Sequence, residues 1–227
     1  NKFKLIINEY LKNGIIQKID KKNISPKVLF HDFHSELIIY EYFEKNSLDK
    51  QFNNFYQLGK KLKELHEITS NKKIKTFKDQ FNLYLNVSKS KRDSKYFKDA
   101  IDLFNELNEC IENYVLSHND LNSSNVLFKN NKIVFIDFEY LSINSKYSDL
   151  SKLIDSLNLK TLEKDKLLKG YGIDEISNSI KTEIKKWSLM NIYTELIWAN
   201  YINEYNKNYF DKDYINLLEK KIKQHKQ

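Results

Sequence analysis

His118-Asn119-Asp120-Leu121-Asn122-Ser123-Ser124-Asn125, with Asp137-Phe138-Glu139-Tyr140 beginning twelve residues further on, groups the polar side chains that can move a phosphoryl group. That chemistry needs one carboxylate to take the proton of an acceptor hydroxyl. It also needs an amide oxygen and a second carboxylate to hold magnesium against the phosphates of a nucleotide. The pattern H-x-D-x-x-x-x-N followed by D-F-x supplies the set, with Asp120 as base and Asn125 and Asp137 as metal ligands. Magnesium is a hard cation that favours such oxygens. Asn122 and Ser124, inside the loop, are candidates for contact with phosphate or metal. His118 reads as a structural histidine bonding backbone rather than as a base.

A hairpin positions these groups. Val126-Leu127-Phe128 and Ile133-Val134-Phe135-Ile136 are short apolar runs rich in β-branched and aromatic residues. Between them lies Lys129-Asn130-Asn131-Lys132, whose two Asn tolerate the left-handed backbone of a tight turn. Asn125 therefore enters one strand and Asp137 leaves its partner at the same end, with Asp120 on the loop leading in.

From Leu116 to Leu127 and from Ile136 to Tyr140 the sequence resembles the catalytic and metal-binding segments of the choline/ethanolamine kinases. That family shares the protein-kinase-like fold with the aminoglycoside phosphotransferases. Asp149, in Tyr147-Ser148-Asp149-Leu150, lies twelve residues after Asp137, as in the family's aromatic-Asp-aliphatic motif. Ile24 to Phe30 and Leu37 to Phe43 are similar to the last two strands of the small lobe and the hinge. The hinge residues Glu41, Tyr42 and Phe43 would then offer backbone groups to adenine. Asn53 to Ile68, with Leu58-Gly59 and Leu65-His66, resembles the first helix of the large lobe.

Kinases of this fold also place a glycine-containing loop over the phosphates and pair a strand lysine with a helix glutamate. Gly14, Gly59, Gly170 and Gly172 cannot form that loop before the hinge. Glu9 stands where the family's helix glutamate would lie, and its lysine partner would precede residue 1. The expectation is that the first strands of the small lobe were trimmed from this chain, because the catalytic set is intact.

Composition excludes several classes. A chain of 227 residues, 41% hydrophobic, can bury one core or a lobe and a half. One cysteine, Cys110, rules out a disulfide framework and reads as buried and inert. No apolar run approaches twenty residues, so no membrane-spanning segment is expected, and no secretory signal is visible; a cytoplasmic enzyme is the expectation. The net charge of +7 invites a polyanion partner, yet only Arg92 among the 38 basic residues is an arginine. Recognition surfaces favour the arginine fork, so no nucleic-acid partner is expected.

Outside the β segments the pattern is helical. Helices are expected over 3–18, 51–68, 75–88 and 95–114, then near 149–157, 162–170, 173–204 and 211–225. A first hairpin is expected from strands 27–31 and 36–43, and a flexible loop from Ser88 to Ser94. The expected fold class is α+β, a protein-kinase-like two-lobed fold with a mainly helical large lobe and without the N-terminal strands of the small lobe. Residues 1–44 would be the remainder of the small lobe and hinge, and 45–227 the large lobe with the catalytic hairpin.

The acceptor side rests on aromatic and acidic residues. A quaternary ammonium offers no hydrogen-bond donor, so a protein holds it with aromatic faces and nearby carboxylates. The resemblance places Tyr140 in the choline pocket and Trp198 in the choline cage. Glu195 stands where an aromatic is often found, which leaves the cage incomplete or differently built. Tyr201 is a further aromatic candidate and Asp155 a candidate acidic partner of the cation. Core packing is the expectation for Trp187 and Tyr193. The resulting expectation is transfer of the ATP γ-phosphoryl group, with magnesium, to choline or a related amino alcohol. The alternatives are another kinase of the fold, acting on ethanolamine, thiamine or an aminoglycoside, and a non-catalytic nucleotide-binding protein.

Overall fold

A computed structural model describes residues 14–32, 34, 37–44, 53–70, 73–87, 94–108, 114–207 and 209–226. Glu9, Cys110 and nearly all of the Ser88–Ser94 segment lie outside the described residues. Three two-stranded antiparallel sheets and a set of helices make up the described chain.

Helix α1 (Ile15–Lys21) follows Gly14, whose φ of +70° is left-handed and interrupts any helix running through it. The expected helix over 3–18 is thus corrected where it is described: α1 starts after Gly14 and runs to Lys21. Ile15, Ile16 and Ile19 are fully buried and join the main apolar core. Strands β1 (Val28–Asp32) and β2 (Leu37–Tyr40) form the first hairpin as expected. The backbone of Ile24, just before it, accepts the Phe135 amide at 2.7 Å.

Helices α2 (Asn53–His66), α3 (Phe77–Val87) and α4 (Lys95–Asn108) follow. The expected helix over 95–114 is described from Lys95 to Asn108 and does not reach its expected end, because Tyr114 opens strand β3 (Tyr114–Ser117). Its partner β6 (Ser142–Ser145) is a run of Ser, Ile and Asn with no alternating apolar pattern. Both strands were invisible to periodicity: they are four residues long and pair at sequence separations of 25 or more. Strands β4 (Val126–Lys129) and β5 (Lys132–Phe135) form the second hairpin in the expected register, with Val126 opposite Phe135. Asn130 and Asn131 take φ of 49° and 63°, the two left-handed positions of a type I′ turn.

Helices α5 (Lys146–Ser156), α6 (Thr161–Tyr171), α7 (Asn178–Tyr205) and α8 (Lys212–Lys226) complete the fold. Ser145 and Ser177 cap α5 and α7, each accepting a first-turn amide on its hydroxyl. The cap at Ser177 explains why the helix expected over 173–204 starts at Asn178. Helix α7 is the central pillar, burying Trp187, Met190, Tyr193, Leu196 and Ile197. Phe81 stacks on Phe104 at 4.5 Å and Phe77 meets Trp187 edge-on at 6.0 Å, so Trp187 and Tyr193 are core residues as expected. Helices α2 and α6 approach so closely that a Cβ on Gly59 would lie 2.1 Å from the Leu167 carbonyl oxygen.

Candidate active site

The loop between β3 and β4 is held from below by one buried carboxylate. Asp149, fully buried on the first turn of α5, accepts the backbone amides of His118 at 2.7 Å and Asn119 at 2.8 Å. Its third partner is His66 at the end of α2, whose Nε2 lies 3.0 Å away. Burial alone would raise the Asp149 carboxyl. The His66 hydrogen bond and charge, with the His118 amide, outweigh it and hold the group below the ordinary carboxylate range.

Two further residues complete the clamp. His118 is fully buried and hydrogen-bonds the Ile136 carbonyl through Nε2 at 2.9 Å, the structural role expected of it. Asn119 adopts a left-handed φ of 65°. Its amide donates to the Tyr140 carbonyl and the Ser142 hydroxyl, each at 2.8 Å, while its Oδ1 accepts from Asn144 at 2.7 Å. Neither Asn119, His66 nor Asn144 was singled out as functional from the sequence. A polar residue that acts by bonding distant backbone leaves no local pattern.

With the loop fixed, Asp120 turns its carboxylate outward. Its Oδ2 accepts from Asn125 Nδ2 at 3.1 Å and from Asn122 Nδ2 at 3.2 Å. Asn125 also ties the loop by donating to the Asp120 carbonyl at 2.8 Å. Asn122 accepts the Ser124 amide at 2.8 Å and the Ser124 hydroxyl, so these two residues first of all shape the loop.

The hairpin brings Asp137 alongside. The Ile136 amide donates to the Asn125 carbonyl at 3.1 Å, which makes the residues on either side of the hairpin mouth neighbours. Asp137 then takes φ 67° and leads into the 3₁₀ turn Phe138–Tyr140. Desolvation raises the carboxyls of Asp137 and Glu139. Asp120 adds repulsion to both, and Asp137 to Glu139. Two carboxyls that burial and neighbouring negative charge keep raised, beside the Asp120 side chain, fit a bound divalent cation. Among the described residues no cluster of three or more His, Cys, Asp or Glu forms a metal cage. A mixed amide and carboxylate set completed by phosphates suits magnesium, which is seldom held in an all-protein cage.

A cavity of about 880 Å³ opens beside Asp120. Its walls include Glu139 and Tyr140, Lys152 and Asp155 from α5, Glu195 and Trp198 from α7, and Tyr214 from α8. Tyr140 and Trp198 meet edge-to-face at 6.5 Å. Trp198 packs on Phe210 at 5.1 Å, and Phe210 stacks on Tyr214 at 4.8 Å. The Tyr214 hydroxyl donates to Glu195 Oε1 at 2.6 Å. Tyr214, nineteen residues after Glu195 in the chain, thus brings a ring to the same wall from a helix packed alongside. Asp155 reaches the cavity and accepts the Ser188 hydroxyl. Tyr201 does not line the cavity: it is buried with its ring 5.0 Å from Tyr84, which itself forms part of the wall. Glu41 and Tyr42 lie exposed beyond β2, where the Glu41 amide still pairs with the Lys27 carbonyl at 2.8 Å; Phe43 is half-buried.

The hairpin, the clamped loop and the helical body define a protein-kinase-like fold. A choline/ethanolamine kinase family protein from Mesorhizobium loti matches it with a TM-score of 0.77 at 15% identity, over 96% of this chain and 80% of that one. Choline kinase LicA from Streptococcus pneumoniae matches with a TM-score of 0.76 at 16% identity, over 98% of this chain and 81% of that one. The likeness to both is one of fold. The family model for choline/ethanolamine kinases matches residues 1–158, and the chain belongs to that family. The Protein LicA homolog of Metamycoplasma hominis is 32% identical over 178 residues, 74% of this chain and 66% of that relative.

Proposed function

We propose that this chain transfers the γ-phosphoryl group of ATP to the hydroxyl of choline or a closely related amino alcohol. The observation that carries the reading is the position of Asp120, whose carboxylate opens into a cavity walled by Tyr140, Trp198 and Tyr214. Aromatic faces attract an alkylated ammonium through their quadrupoles, and Glu195 and Glu139 add negative charge. The likeness to a choline kinase LicA and to LicA homologs supports the same acceptor class.

In the proposed reaction the acceptor hydroxyl lies against Asp120, which takes its proton as the new oxygen–phosphorus bond forms. The bond from the γ-phosphorus to the bridging β,γ-oxygen breaks and ADP departs. Asn125 and Asp137 are the residues to hold magnesium, which neutralises phosphate charge when bound. Asn122 and Ser124 lie beside them for phosphate contact, and Glu41 to Phe43 are the residues to meet adenine. Glu9 is proposed as the helix glutamate of the nucleotide clamp. Asp155 completes the acidic lining of the cavity.

A second reading follows from one observation. Asp120, Glu139, Asp155 and Glu195 all reach the cavity, an acidity that also suits an acceptor with several ammonium groups, such as an aminoglycoside. Glu195 and Asp155 are already engaged by Tyr214 and Ser188, which favours the smaller amino alcohol. The test is a phosphorylation screen of the full-length protein over choline, ethanolamine, thiamine and kanamycin with magnesium and ATP. Turnover of choline or ethanolamine well above the others is expected. Turnover confined to kanamycin or thiamine, or none at all, overturns the assignment.

A further inference from the structure

The two oxygens of Asp120 are used differently. Oδ2 is occupied by the Asn125 and Asn122 amides at 3.1 and 3.2 Å. Oδ1 is left facing the cavity, and the group that meets it is the Lys152 ammonium at 3.5 Å. The same ammonium stands 3.8 Å from Glu195 Oε2 on the opposite wall. Lys152 is three residues beyond Asp149, so both lie on one face of α5. The helix that clamps the loop amides therefore also delivers a cation to the loop's carboxylate. The loop from His118 to Asn125 holds no Lys or Arg of its own.

We propose that Lys152 is a catalytic residue of this site, its ammonium donating to the acceptor oxygen while Asp120 takes that oxygen's proton. The inference rests on the amino-alcohol kinase reading for its acceptor, although not for its geometry. Because Oδ2 is taken, the hydroxyl proton goes to Oδ1. An oxygen bonded there lies within reach of the ammonium that already faces Oδ1. The hydroxyl oxygen has two lone pairs: one attacks phosphorus and the other accepts from Lys152. As the proton leaves, negative charge grows on that oxygen and on the transferring group, and a fixed cation beside them lowers the barrier. Both contacts of Lys152 exceed the length of a tight ion pair and its side chain is 20% exposed. The bridge therefore adds little to stability, which leaves the ammonium available to exchange one partner for substrate.

The test uses Lys152→Met, which keeps the length of the side chain without its charge, and Lys152→Arg, which keeps the charge. In the full-length protein, Lys152→Met should lower kcat for the acceptor about ten- to a hundredfold, while magnesium-ATP affinity and melting temperature stay near wild type. Lys152→Arg should recover part of the loss. Water takes the hydroxyl position when no acceptor is present, so slow ATP hydrolysis without acceptor should fall as well. A Lys152→Met kcat within about twofold of wild type overturns the proposal. So does a lower acceptor KM with kcat retained, the signature of a cation that merely competes with substrate. If the wild type phosphorylates neither choline nor ethanolamine, the acceptor assignment fails on its own. The hydrolysis measurement then still decides Lys152, and hydrolysis unchanged by Lys152→Met overturns it.

Discussion

The imidazole of His66 and the carboxylate of Asp149 meet at 3.0 Å with side chains 2% and 0% exposed, 83 residues apart in sequence. Tyr171 closes the far side of the imidazole, its hydroxyl 2.8 Å from Nδ1. Helices α2, α5 and α6 are joined at this point, and the loop from His118 to Asn125 hangs from it.

Removing the carboxylate leaves the two loop amides and His66 Nε2 without that acceptor, while Nδ1 keeps Tyr171. Asp149→Ala should cost about 3–5 kcal/mol in stability, read by urea unfolding. That is a large share of a domain's total, so poor soluble yield is expected as well. A midpoint near that of wild type would show that the loop has another anchor.

The acidic groups make opposite contributions to pH dependence. Asp149 is held below its ordinary range, so its contribution is full above that range and is lost as pH falls through the folded-state value. Asp137 and Glu139 are raised, so the folded state binds their protons more tightly and loses stability as pH rises through the raised values. Asp137→Asn removes a charge that desolvation, and after it the Asp120 carboxylate, disfavours. It should raise stability slightly, by less than about 1 kcal/mol, while magnesium-dependent turnover disappears. Thermal melts and a magnesium titration of activity, run side by side, check both parts.

Asp120 is the one carboxylate expected to act on the proton itself. Asp120→Ala should lower kcat about a hundredfold or more with the fold retained. Near-normal turnover in that variant would exclude the proposed base.

Cation capture is expected to depend on the aromatic wall. Trp198→Ala should raise the acceptor KM about three- to thirtyfold and leave the nucleotide KM unchanged. Steady-state kinetics with each substrate varied in turn separates the two effects.

The contact between α2 and α6 tolerates no side chain at its crossing. A Cβ at Gly59 would meet the Leu167 carbonyl at 2.1 Å and the Tyr171 amide at 2.7 Å, and one at Gly170 would meet the Tyr56 carbonyl at 2.0 Å. Backbone cannot rotate out of the way as a side chain can. Gly59→Ala should therefore cost about 3 kcal/mol or more, measured by denaturant unfolding. Since His66 and Tyr171 sit on these same helices, activity should fall with stability.

The hairpin and its polar residues were legible because their information is local. Asn130 and Asn131 announce the turn, and the turn sets which residues stand opposite one another. The long helices were legible for the same reason, within a few residues at each end. Strands β3 and β6 were hidden because Ser142-Ile143-Asn144-Ser145 acquires its shape only from a partner far away in the chain. Tyr214 and Lys152 were hidden for a related reason. Each is an unremarkable residue on an amphipathic helix until Glu195 and Asp120 are placed beside it. Tyr201, conversely, shares its helix with Trp198 but turns into the core toward Tyr84.

Helix α5 divides its labour turn by turn. Asp149 looks toward the loop amides and His66, while Lys152 and Asp155 look into the cavity. A substitution at Asp155 would therefore alter the wall that meets the acceptor while leaving the Asp149 anchor of the loop in place. A lineage could thus retune its acceptor at Asp155 alone, with Asp120, Lys152 and the anchored loop inherited intact.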